Sequence, residues 1–338
     1  MRQKTLRQNI NYIGSKYSLL EFLNEKINLS VQNLHNKTFC DLFAGTNIVG
    51  IYFKDKVKQI ISNDMEYYSY VIARKYLYNQ TECGYLIDEL NNLTGITGNI
   101  FNYYSDNGIF KRLYFSEENG KKIDAIRQKI EEWKVSNIIN DDCYYYLLTM
   151  LLESSDKVAN TTSVYGAYLK QIKNSAKRPL ILKDTENVIV ENQNNICYNY
   201  DANILINKIK GDVLYIDPPY NHRQYGSNYH ILNTIAKYDF TVEPRGIVGL
   251  MDYNKSNYSY KNKVGPMFDD LIKNADFEHI FISYNNEGIL SVDDFKKILE
   301  YHGKLIIYEK NYKTYKADKN RNNKSENVIE YLFYLNKF

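Results

Sequence analysis

The chain has 338 residues, 44% of them hydrophobic and 25% charged, with a formal net charge of +3. It is long enough for a large core and for a catalytic unit carrying an inserted one, and no apolar run approaches the roughly 18 residues of a membrane span. The charge is too small to identify a nucleic-acid partner, the five histidines form no metal spacing, and Cys40, Cys83, Cys143 and Cys197 stand far apart, which speaks against zinc and for a reducing cytosol.

Taken in chain order, Met1 to Asn9 lack the apolar stretch of a signal peptide, so a cytoplasmic protein is expected. Asn11-Tyr12-Ile13-Gly14-Ser15-Lys16 places a ring, a flexible glycine and a cation within reach of one another, ahead of a helical run from Leu19 to Ile27. In Phe39-Cys40-Asp41-Leu42-Phe43-Ala44-Gly45-Thr46-Asn47 an apolar strand breaks into a small-residue loop, and helical spacing resumes at Ile48, Ile51 and Tyr52. A second strand, Val57 to Ser62, leads to Asp64, at the spacing from the loop that suits an acid on a ribose. Asn47 stands where a nicotinamide-binding loop wants glycine, and no Gly-Lys-Ser/Thr follows, so the ligand reads as a nucleoside and not a dinucleotide. An ordinary strand-to-helix turn followed by a surface acid would carry the same residues.

From about residue 80 to 190 the strand and helix alternation stops. Ser116 followed by Glu117 and Glu118 marks a helix start, and Ile123, Ile126, Ile130 and Trp133 form an apolar stripe that reads as core. Leu147, Leu148, Leu151 and Leu152 mark a second helix, and Lys170, Lys173, Lys177 and Arg178 form a basic group. Cys197-Tyr198-Asn199-Tyr200-Asp201 supplies another acid at a strand end before a helix. Strands then follow at Val213 to Ile216, His279 to Ser283, Lys304 to Tyr308 and Val328 to Leu335, the last two joined by a polar loop. The stretches His222 to Tyr229 and Glu243 to Gly265 read either as a functional loop, with the charges of Arg223, Arg245, Lys255, Lys261 and Lys263, or as plain surface loops. A basic tail of Lys304, Lys310, Lys313, Lys316, Lys319, Arg321 and Lys324, interleaved with Tyr308, Tyr312 and Tyr315, suits phosphate contacts or a solvated face, and Lys319 to Lys324 reads as a mobile loop. The 34 tyrosines are not themselves evidence of base stacking, since an AT-rich coding sequence yields the same excess.

The densest signal is Asp217-Pro218-Pro219-Tyr220, directly after Val213-Leu214-Tyr215-Ile216. Two prolines fix φ and remove two donors, so the strand ends there with its carbonyls free to accept. Asp217 thus sits at a strand's carboxyl end, where open α/β sheets bind ligands. A carboxylate and a ring held at a nearly fixed separation suit a flat aromatic amine, although a polar turn after a strand has similar composition.

In this order the segments resemble the Dam-like family of S-adenosylmethionine-dependent DNA adenine-N6 methyltransferases. The resemblance extends to Asn221 to Tyr225, Ser227 to His230, Ser283 to Gly288 and Glu330-Tyr331-Leu332, and the flanks look like restriction-modification members. One departure is the loop: the family's Phe-x-Gly-x-Gly reads here as Phe43-Ala44-Gly45-Thr46-Asn47, and asparagine tolerates positive φ. The resemblance implies a Rossmann-like α/β methyltransferase fold with a mixed sheet whose last two strands are an antiparallel pair, split as residues 1–79 and 191–338 around a mainly helical target-recognition insertion, 80–190. It implies S-adenosylmethionine as cofactor, with Tyr12, Lys16, Asp41, Phe43, Gly45, Asp64, Asp201 and Asp217 around it. It implies catalysis by Asp217, Pro218, Pro219 and Tyr220, double-stranded DNA as partner, and a companion endonuclease. An RNA adenine or protein-glutamine methyltransferase, or a silent DNA-binding specificity module, are the other readings. The first usually carries Asn where Asp217 stands, and the second would let the catalytic turn decay.

Overall fold

The computed structural model describes residues 10–78, 81, 83–184, 193–313 and 327–338. After the 3-10 turn Tyr17–Leu19 come α1 (Leu20–Ser30), β1 (Thr38–Asp41), α2 (Ile48–Phe53), β2 (Gln59–Asn63) and α3 (Tyr67–Ala73). Four helices follow without a strand: α4 (Ile87–Asn92), α5 (Asn99–Tyr104), α6 (Glu117–Val135) and α7 (Asp141–Lys157). Alternation then resumes with β3 (Ile196–Tyr198), α8 (Ala202–Leu205), β4 (Lys210–Ile216), α9 (Tyr225–Asn228) and α10 (His230–Lys237). The chain ends with α11 (Val264–Asn274), β5 (Asp276–Asn285), α12 (Val292–Glu300), β6 (Gly303–Lys313) and β7 (Asn327–Lys337). No described helix is long and apolar enough to cross a membrane.

The strands form one sheet in the order β3-β2-β1-β4-β5-β7-β6. The first five are mutually parallel, and β7 runs antiparallel between β5 and β6, so this is the mixed α/β methyltransferase sheet expected, with the last two strands paired as the resemblance implies. Val213, Leu214, Tyr215 and Ile216 of β4 are all fully buried, as befits a parallel strand covered on both faces. In β5, Phe281 faces the layer of α1 and α2 while Ile280 and Ile282 face α8, α11 and α12, the two-residue period of a strand.

Register decides where the site lies. Asp41 of β1 is level with Ser62 of β2 and Tyr215 of β4, and Asn63 of β2 with Tyr198 of β3. The loops after all four strands therefore open on one edge. Because β2 and β4 flank β1 with their crossovers on opposite sides, that edge has a crevice at its switch point.

Ser116 caps α6 by accepting from the Asn119 amide, as the sequence predicts, and Ile123, Ile126, Ile130 and Trp133 are core. They pack with Leu147, Leu148, Leu151 and Leu152 of α7, Tyr68, Val71 and Ile72 of α3, and Ile231, Leu232 and Ile235 of α10 in one continuous cluster. Cys83 and Cys143 form a disulfide, Cα atoms 5.5 Å apart, tying the segment before α4 to the first turn of α7. Local spacing misreads this pair: its members are 60 positions apart and meet only through helix packing, so their distance in sequence is no argument for unpaired thiols in a reducing compartment. Cys40 and Cys197 are free.

Candidate functional site

The crevice is a cleft lined by segments from each of these loops. All eight residues expected around a cofactor border it: Tyr12, Lys16, Asp41, Phe43, Gly45, Asp64, Asp201 and Asp217. Of the catalytic turn, Asp217 and Pro219 line it, Pro218 is buried behind, and Tyr220 stands beside it.

The glycine loop is shaped by its neighbours. Gly45 has φ +53°, and a Cβ there would lie 3.0 Å from the Tyr12 ring, so both the backbone conformation and the close approach require glycine. Asn47 adopts φ +62° as its residue type allows. It is also fully buried, donating from Nδ2 to the Ser69 carbonyl (2.9 Å) and accepting from the Ser62 hydroxyl (2.6 Å), which ties the loop to β2 and α3. Asp64 accepts from the Gly45 amide (2.7 Å) and the Glu66 amide (2.8 Å); burial raises its carboxyl to about 6 against those two bonds. Asp201 caps α8 by accepting from the Asn203 and Ile204 amides. Asp41, 1% exposed, accepts from the Gly50 amide (3.2 Å). Burial, and secondly the charge of Asp217, push it up to about 8.

Asp217 leaves β4 facing the buried Lys16, whose Nζ lies 2.9 Å from Asp217 Oδ1 and 3.3 Å from Glu330 Oε1. Burial raises the Asp217 carboxyl to about 6, with Lys16 pulling down and Glu330 pushing up. Among the described residues neither Asp217 oxygen accepts a hydrogen bond, and Oδ1 is met only by the Lys16 charge. Tyr220 is held edge-on by Tyr284, ring centres 5.6 Å apart, and lies under the Lys16 ammonium at 5.2 Å. Its carbonyl accepts from the Ile289 amide. Tyr12 stacks on Tyr229 at 4.6 Å and contacts Tyr225 at 5.5 Å.

Several site residues escaped the sequence reading. Asn63 bonds the Leu42 carbonyl and both backbone groups of Tyr200, fixing the loops after β1 and β3 together. Tyr258 meets Phe43 edge-on at 5.1 Å, and Glu66, Tyr225 and Ser256 also line the cleft. Glu330 had a signal available, an acid within the apolar run Ile329 to Leu335.

The expected basic elements are dispersed. Lys170, Lys177 and Arg178 are exposed and Lys173 half-buried on the coil after α7. Arg223, Lys255, Lys261 and Lys263 are exposed near the catalytic turn, whereas Arg245 is paired with Asp252. The loop bearing Arg245 is held from below by Arg112, which donates to the Gly246 and Ile247 carbonyls (3.0 and 3.2 Å). Of the basic tail, Lys304, Lys310 and Lys313 belong to β6; Tyr315, Lys316, Lys319, Arg321 and Lys324 lie outside the described residues.

The sequence model of the D12 class N6 adenine-specific DNA methyltransferases matches residues 12–298 of this chain. The chain is 51% identical to the type II methyltransferase M.NlaIII of Neisseria lactamica over 335 residues, 97% of this chain and 99% of that protein. It is 36% identical to the type II methyltransferase M.CviAII of Paramecium bursaria Chlorella virus 1, across 96% of this chain and 98% of that one. With the type II methyltransferase M.FokI of Planomicrobium okeanokoites it shares 39% identity, 97% of this chain matching 53% of the longer protein.

Proposed function

Because the chain belongs to the D12 class of N6 adenine-specific DNA methyltransferases, we propose that Asp217, Pro218 and Tyr220 grip an adenine extruded from duplex DNA beside S-adenosylmethionine held in the β1–β4 cleft. The enzyme is a site-specific adenine DNA methyltransferase of the type II restriction-modification class, using S-adenosylmethionine. That family assignment selects against the RNA, protein-glutamine and silent-module readings. The observation that carries the site proposal is the register of β1, β2 and β4, which brings the glycine loop, Asp64 and the Asp217 turn onto one cleft.

The cleft fits the cofactor: Gly45 allows close approach beside the Tyr12 ring, and Asp64 and Asp201 offer acceptors at two strand ends. Bound S-adenosylmethionine supplies an electrophilic methyl group. The protein's task is to make a poor nucleophile attack it. Adenine's amino lone pair is delocalised into the ring until acceptors on its two N–H groups draw the nitrogen toward tetrahedral geometry. Asp217 provides one acceptor through the oxygen that Lys16 leaves free, and the Pro218 carbonyl the other, while Tyr220 stacks on the base. Positioning and electrostatics suffice, without a covalent intermediate. Extrusion costs a few kcal/mol, of which stacking on Tyr220 recovers roughly 1–3 kcal/mol.

Residues 80–190 serve as the target-recognition region, with the exposed Lys170, Lys177 and Arg178 on DNA phosphates. The protein works in the cytoplasm alongside a companion endonuclease. Methyl transfer from labelled cofactor to duplex DNA, single-stranded DNA and RNA, followed by sequencing of modified adenines in a host expressing the protein, tests the reading. Label at a single duplex motif is expected; label on RNA alone contradicts it.

A further inference from the structure

We propose that Glu330 is a positioning residue for methyl transfer, holding the Lys16 ammonium on one oxygen of Asp217 so that the other stays open to the adenine amine. This rests on the reading that Asp217 accepts a hydrogen bond from that amine. Glu330 is on β7, in register with Asn285 of β5 and Lys310 of β6, far in sequence from the catalytic turn. Its side chain is only 8% exposed, and Oε1 is buried with no hydrogen bond of its own beyond the ion pair with Lys16. A carboxylate so placed is costly unless a cation faces it, and Lys16 is that cation.

Three oxygens surround the Lys16 ammonium: the Gly14 carbonyl, which accepts its hydrogen bond at 3.3 Å, and Asp217 Oδ1 at 2.9 Å and Glu330 Oε1 at 3.3 Å, which meet it as ion pairs. The attraction of Glu330 opposes movement of the ammonium onto the second Asp217 oxygen. The charges matter as much as the directions. Two carboxylates around one ammonium leave a net negative charge, so Asp217 remains a strong acceptor. Without the Glu330 charge, Lys16 and Asp217 form a neutral pair, and the ammonium is free to cover both Asp217 oxygens.

The titratable groups facing Asp217 are Lys16 before α1, Asp41 of β1, Tyr215 of β4, Tyr220 and Tyr225 after it, and Glu330 of β7. Of these Glu330 raises the Asp217 carboxyl and Lys16 lowers it. Neutralising Glu330 therefore moves the Asp217 titration to lower pH.

The test is single-turnover methyl transfer to duplex DNA across pH for the full-length wild type, Glu330→Gln, Glu330→Asp and Asp217→Asn, with thermal melts to score folding. Glu330→Gln is expected to cut the transfer rate by about 10- to 100-fold, the scale of an ångström-level misplacement. Its cofactor KM should stay close to wild type, and its acidic limb should move to lower pH. Glu330→Asp, which keeps the charge, should leave the limb near its wild-type position and recover part of the rate. A Glu330→Gln enzyme with the wild-type rate, or with a reduced rate and an unmoved limb, overturns the proposal. So does a Glu330→Asp enzyme indistinguishable from Glu330→Gln. Loss of transfer in Asp217→Asn keeps the underlying reading of the site intact whatever Glu330 does, whereas full activity there removes both.

Discussion

Burial pushes the Asp217 carboxyl up to about 6, while the Lys16 ammonium 2.9 Å away pulls it down. Only the ionised form accepts from both the ammonium and an amine, so the transfer rate is expected to fall as pH drops through about 6. A rate that stays flat well below that pH would detach Asp217 from the chemistry. Tyr220 gives a different signature. Replacing it by Ala removes the stacking face, worth roughly 1–3 kcal/mol, and should slow transfer by about 5- to 150-fold while equilibrium cofactor binding stays nearly unchanged. Asp64→Ala should do the reverse and weaken cofactor binding by roughly 10- to 100-fold, the loss of a hydrogen bond to a charged group, measurable by calorimetry. These residues were legible because proline, glycine and acid each have a local conformational reason to stand where they do. The contacts of Glu330 and Asn63 were not, because Lys16 and Leu42 are distant in sequence and meet them only through the fold.

Asn47 shows what a loop asks of its residues. Its positive φ was legible from the residue type; its bonds to Ser62 and Ser69 were not, since they depend on how β2 and α3 pack beside the loop. Asn47→Gly keeps the backbone conformation and loses the side-chain bonds, at an expected cost of about 1–3 kcal/mol. Asn47→Ala adds roughly 1–2 kcal/mol for a non-glycine Cβ in the left-handed region. Urea unfolding of both variants checks the order; a Gly variant as stable as wild type would mean the knit is immaterial. Strand and helix identities were readable from their periods, as with the α6 stripe, whereas the antiparallel end of the sheet came from the family resemblance. The strand order, and the register that levels β1, β2 and β4, come from long-range pairing and leave no local mark.

Across the molecule, the cleft gathers carboxyls whose burial outweighs their bonds: Asp41 is pushed up to about 8, Glu66 to about 7, and Asp64 and Asp217 to about 6. Their native-state values exceed the unfolded ones, so the folded protein holds protons that unfolding releases. Stability from these groups is fully present below the unfolded carboxylate range and is lost as pH rises through about 6 to 8. The ligand-free protein should therefore melt at lower temperature at pH 8 than at pH 6.5, and Asp41→Asn should flatten the upper part of that decline. An Asp41→Asn melt curve with the wild-type slope would contradict this. The shared core of α3, α6, α7 and α10 has a further consequence: a chain lacking residues 80–190 exposes Tyr68, Val71, Ile72, Ile231 and Leu232 and should not fold, which near-ultraviolet circular dichroism would report. A truncated chain that still binds cofactor would show that the insertion is independent. The most direct test of the clamp at Asp217 is transfer of labelled methyl from S-adenosylmethionine to duplex DNA by wild type and Asp217→Ala, with the modified base identified and cofactor binding measured in parallel. Label on adenine N6 with wild type, and none with a variant that still binds cofactor, is the predicted result; undiminished transfer by Asp217→Ala would contradict it.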